Sequence, residues 1–160
     1  MTQLPSKETV LAACAGTVPD PHPMLLAAYE LAGLHEARLV AGHDEVCEID
    51  CRRAILVHGI DCYVARSVTP ALGAAFMHTE TVGAVVDRLA EFSVSAFAAL
   101  RQDIEQRQQH YAWQRLAELS LGYMDLAFEI GTGRRRVPDC CRASTPSGAT
   151  AKSAAGQDIS

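Results

Sequence analysis

Lysine is almost missing from this chain. Of 160 residues only Lys7 and Lys152 carry it, and arginine supplies nearly all the remaining positive charge. Such a preference often follows base composition and carries little functional weight. Basic character is scarce as a whole: acids outnumber bases, the formal net charge is -5 and the pI is about 5.6. This excludes nucleic acid or an anionic membrane as the main partner. No apolar run approaches the roughly 18–20 residues of a membrane span. "LAAC" at 11–14 resembles a lipoprotein cleavage box, but Lys7 and Glu8 interrupt the apolar stretch of about 7–15 residues that a signal peptide needs.

Metal and nucleophile signatures are missing too. The six cysteines are Cys14, Cys47, Cys51, Cys62, Cys140 and Cys141, and no pair has the Cys-x-x-Cys spacing of a zinc framework. His43, Cys47 and Cys51 recur at steps of four, yet one helical row does not close a tetrahedral site. The Glu-x-x-His pairs of di-iron bundles are absent, as are a Ser-His-Asp grouping, a phosphate loop and a dinucleotide fingerprint. The expectation is therefore no metal and no cofactor. Cys14, Cys47, Cys51 and Cys62 read as small, mostly buried hydrophobes in a reducing cytoplasm, and Cys140 and Cys141 as a liability in a tail.

What remains is helical pattern. With 49% hydrophobic and 21% charged residues, the composition is that of one globular domain. Residues 1–20 read as a leader, with a short helix available from Ser6 to Ala15 before Pro19, Pro21 and Pro23 block continuation. Residues 21–133 hold long apolar stripes at helical spacing. The first helix spans about Pro23 to Val40, ended by Gly42. The second spans about Asp44 to Arg66, with acids in its first turns. The third opens within "HTETVGAVVDRL" at 78–89, capped by Thr79 or Thr81, and runs to about Leu100 or through Ile104. The fourth spans about Asp103 to Ile130, stopped by Gly131 and Gly133. No segment alternates with period two. The fold expected is all-α, a four-helix bundle of mostly long antiparallel helices. Residues 134–160 are a polar tail without periodicity, expected to be flexible.

Polar residues interrupt these stripes. His35 falls between Ala32 and Leu39, Arg53 between Ile49 and Leu56, and Tyr123 between Leu119 and Ile130. An arginine on a core face cannot shed its charge and needs a carboxylate; Asp87, Glu80 and Asp61 are the candidates. His78 and Glu80 precede the third helix near its positive end, where a carboxylate or an anionic ligand is favoured. Gly83 allows close approach of a backbone or ligand.

"HTETVGAVVDRL" and the apolar run that follows resemble the central signature of the bacterial family catalogued as domain of unknown function 4254. "EIDCRRAILVHGIDCYV" at 48–64 is similar to its preceding helix, and "LHEAR" at 34–38 faintly to an earlier histidine-containing helix. The resemblance covers roughly residues 25–131. Val82 stands where relatives often carry proline, and "LHEAR" lacks the Trp-His of that helix. The resemblance implies an all-helical cytoplasmic protein and supplies no reaction.

Two functions fit these residues. One is a cofactor-independent proton-transfer enzyme of the cyclisation, isomerisation or elimination type. In it His78, Glu80 and Asp87 are catalytic, and His35, Arg53 and Tyr123 bind a small, anionic substrate. The other is a non-catalytic homo-oligomeric binding or assembly module, a homodimer, whose polar cluster only specifies the fold and which uses Val94 and Ala98 as a second apolar face.

Overall fold

The computed structural model describes residues 3–18, 20–68, 71, 73–101 and 105–141. The class is all-α. The elements are α1 (Lys7–Cys14), α2 (Pro23–Arg38), α3 (His43–Ser67), β1 (Phe76–Met77), α4 (Val82–Arg101), α5 (Gln106–Gly131) and β2 (Arg135–Arg136). Continuation of α4 through Ile104 and a start of α5 at Asp103 fall outside the described residues, as does the tail from 142 onward.

Local chemistry sets the helix ends. Thr81 caps α4, its hydroxyl accepting the Ala84 N–H at 3.2 Å. Gly42, expected to close α2, instead opens α3: the Glu45 carboxylate reaches back to the Gly42 N–H at 3.1 Å, and α2 ends earlier at Arg38. His22 opens α2 by accepting the Met24 N–H, with Pro23 as the first helical residue. Its other ring nitrogen meets the Tyr63 hydroxyl at 3.0 Å, fastening the start of α2 to the end of α3. Gly133, at φ 72°, turns the chain out of α5.

α4 is the central helix. Its apolar face (Val82, Val85, Val86, Leu89, Ala90) is buried, and it lies against α1, α2, α3 and α5. Among the described residues α5 approaches α4 and α1 but neither α2 nor α3, so the long helices do not close into a ring of four. The place beside α5 is filled by α1, with Val10 and Ala13 fully buried in the common core. The supposed leader is thus part of the packed unit, because its short apolar face covers α2, α4 and α5.

Three further expectations change. Strands exist: β1 and β2 pair in parallel, Phe76 opposite Arg135 and Met77 opposite Arg136. Two-residue strands are too short to show an alternation in sequence. β2 also puts the first part of the predicted tail, with Val137, onto the core. Val94 is buried against the same core, which removes it from any second apolar face.

The cysteines divide. Cys14 is buried, and burial pushes its thiol up to about 12. Cys47 and Cys51 are exposed, because the first half of α3 buries only Ile49. Cys62 and Cys141 are joined as a disulfide rather than standing as a buried thiol and a loose tail thiol. No helix among the described residues is long and apolar enough to cross a membrane.

Candidate functional site

Three helices deliver charge to one point. Asp87 on α4 accepts from His35 of α2 (Nε2 to Oδ1, 2.9 Å) and from Arg53 of α3 (Nε to Oδ1, 3.2 Å; Nη2 to Oδ2, 2.6 Å). Side-chain exposures of 6% for His35, 17% for Asp87 and 21% for Arg53 make this a largely desolvated ionic group. Asp50, one helical turn before Arg53, takes a further bond from Arg53 Nη1 at 2.8 Å, and two from Arg38 at 3.0 and 3.3 Å. Among the described residues no buried side-chain polar atom lacks a partner.

Electrostatics follow from these partners. Burial pushes the Asp87 carboxyl up, but the hydrogen bonds from His35 and Arg53 and the Arg53 charge outweigh it, bringing the group down to about 2. Asp50 is lowered chiefly by its bond from Arg38, and Arg53 is raised chiefly by its bond to Asp87. A carboxylate is acceptor-only, so the hydrogen between His35 and Asp87 lies on His35 Nε2. Arg53 has five N–H groups and gives three hydrogen bonds among the described residues, leaving two unused there.

His78 and Glu80 form a second group. His78 Nδ1 sits between the Glu80 N–H at 3.2 Å and the Glu80 carbonyl oxygen at 3.0 Å. The Glu80 carboxylate pairs with Arg88 at 2.5 Å, and that bond is the main reason its carboxyl lies below the usual range. Among the described residues no hydrogen bond or ion pair joins this group to Asp87. Tyr123, placed with the substrate by its position in the stripe, is fully buried and donates to the Pro5 carbonyl at 2.8 Å. It holds the entry to α1, because the core covers the whole ring and its hydroxyl bonds the Pro5 carbonyl. Asp61, a candidate partner for Arg53, instead accepts the Gly83 N–H at 2.7 Å. At Gly83 the helices touch: an added Cβ would overlap the Val57 carbonyl oxygen and come within 2.8 Å of Asp61 Oδ1.

Along α3 the first group opens onto a groove of about 310 Å³ lined by Asp50, Arg53, Val57, His58, Asp61 and Asp87. Larger cavities of about 560 and 550 Å³ lie between α2 and α4 and beside the segment after α5. The first has no grouping of partnered charge comparable to that around Asp87. Sequence reasoning missed Asp50, Arg38 and His58. Asp50 and Arg53 at i,i+3 were a readable signal; Arg38 was not, since its partner lies across a turn.

A family model described as "Protein of unknown function (DUF4254)" matches residues 32–138, a stretch that holds His35, Arg53 and Asp87. No curated protein and no solved structure matches the chain.

Proposed function

The chain belongs to the DUF4254 family, whose description carries no activity, and we propose from its own geometry that it binds a small polar molecule in the groove along α3. The observation that carries this is the partly used Arg53 guanidinium. It is fixed by Asp50 and Asp87 and still holds two N–H groups for an incoming acceptor, in a groove at the small end of the usual ligand-pocket range of about 300–1,000 Å³. A ligand with one carboxylate, phosphate or carbonyl suits Arg53, and its hydroxyl or amine groups suit Asp61 and Asp50.

Proton transfer is a weaker part of the reading. Asp87 and Glu80 are both held as carboxylates, so neither donates a proton near neutrality. His35 turns its N–H to Asp87 and does not line the groove. The second reading, an assembly module, draws on one observation: among the described residues no buried side-chain polar atom of the ionic group lacks a partner, as in a purely structural cluster.

The test is a titration of the isotope-labelled chain with small carboxylates and phosphates, followed by amide NMR. Saturable shifts centred on Asp50, Arg53 and Asp61, lost in Arg53→Lys and kept in Glu80→Gln, support the groove. Shifts confined to other surfaces, or none with any compound, favour the module.

A further inference from the structure

The disulfide has an imidazole beside it. Cys62 follows His58 by four residues on α3, so one helical turn stacks their side chains, and His58 Nε2 is 3.5 Å from Cys62 Sγ. The segment after α5 brings Cys141 to the same point, its Cα 5.4 Å from that of Cys62. One ligand-type atom from each of the three residues lies within 4.8 Å of the others. Tetrahedral zinc, at about 2.3 Å from sulfur and about 2.0–2.1 Å from nitrogen, sets neighbouring ligand atoms roughly 3.6–3.8 Å apart. The His58–Cys62 separation is just short of that length, and the sulfurs reach it when the bond between them is open.

We propose that His58, Cys62 and Cys141 hold one zinc ion when the two cysteines are reduced. A mixed nitrogen–sulfur set selects zinc over magnesium or calcium, and in a reducing compartment such a cysteine pair serves metal more readily than a disulfide. Two chemical states share the same sulfurs. Zinc binding displaces the two thiol protons without any change of oxidation state. Disulfide formation removes those two protons and two electrons, which pass to an external disulfide through thiol–disulfide exchange. The states exclude one another. Cys62 and Cys141 also line the 550 Å³ cavity that carries Arg66 and Arg136, so the fourth ligand is water or a small anion. Sequence spacing hid the site, because Cys141 lies 79 residues beyond Cys62.

The experiment uses the full chain, reduced with a thiol-free phosphine under argon and titrated with cobalt(II), then with zinc in competition. One cobalt per chain is expected, with the thiolate charge-transfer band and the intense visible bands of a tetrahedral site. Cys62→Ser and Cys141→Ser each abolish them. His58→Ala weakens zinc binding by roughly tenfold or more, since even outer-shell partners are worth about 10–100-fold. A chain with Cys47, Cys51 and Cys140 all changed to Ser keeps the full spectrum. Oxidation of the unsubstituted chain releases the ion, a readout that needs no variant. The proposal is overturned by a reduced chain without the tetrahedral spectrum, by bands surviving the joint loss of Cys62 and Cys141, by their loss in the three-cysteine control, or by metal retained after oxidation. His58 borders the charged groove but Cys62 and Cys141 do not, so the outcomes with the cysteine variants stand apart from those of the ligand titration.

Discussion

Asp87 and Arg88 are consecutive residues on α4, yet they work in opposite settings. Asp87 turns inward and is shared by His35 and Arg53, which come from two other helices. Arg88 turns outward to Glu80, with exposures of 40% and 36% on the two side chains. Both are ion pairs with short contacts. They differ in what replaces each when it is lost. Water resolvates Arg88 or Glu80 at once, whereas His35 is buried and is reached only by opening the packing of α2 on α4, and Arg53, although it borders the groove, keeps only 21% of its side chain exposed. The inward group therefore fixes how three helices meet, and the outward pair decorates a helix start.

The sharpest way to break the comparison is Asp87→Ala. It removes the shared partner of the buried His35 imidazole and the half-buried Arg53 guanidinium, which keeps Asp50, and the expected loss is about 3 kcal/mol in urea unfolding, the low end for breaking a buried pair. Gly83→Ala comes next. The methyl group meets the Val57 backbone rather than a flexible side-chain end, so α3 and α4 must separate; about 1–3 kcal/mol is expected, with a lower melting temperature. Arg88→Met is smallest, below about 1 kcal/mol and smaller still in high salt. A loss from Arg88→Met as large as that from Asp87→Ala would erase the distinction.

Part of this was legible in the sequence. Arg53 and His35 announced themselves by sitting inside apolar stripes, where charge has to find a partner, and Asp87 stood among the candidates. Thr81 was readable as a cap and Gly83 as a close approach, because both depend on local chemistry. Other features depend on contacts between distant segments. Tyr123 looked like a site residue because periodicity gives the face it occupies and not the carbonyl its hydroxyl reaches, here Pro5. The burial of α1 depends on the gap that α5 leaves beside α4, and the β1–β2 pair and the Cys62–Cys141 link join residues far apart in the chain. His78 and Glu80 were grouped with Asp87 by proximity along the chain. The side chains divide them, because Arg88 holds Glu80 on the outer side of α4.

A pH experiment bears on the inward group alone. The folded-state value of Asp87 lies below its ordinary 3.8, so the stability it confers is complete above that pH and is lost as pH falls through about 2. The difference amounts to about 2 kcal/mol. The most direct measurement is a carbon-13 carboxyl NMR titration of Asp87 in the folded chain. A midpoint near 2, displaced upward in Arg53→Lys, is the predicted result. A midpoint at the ordinary 3.8 would mean that Asp87 faces water and that no buried ionic group joins α2, α3 and α4.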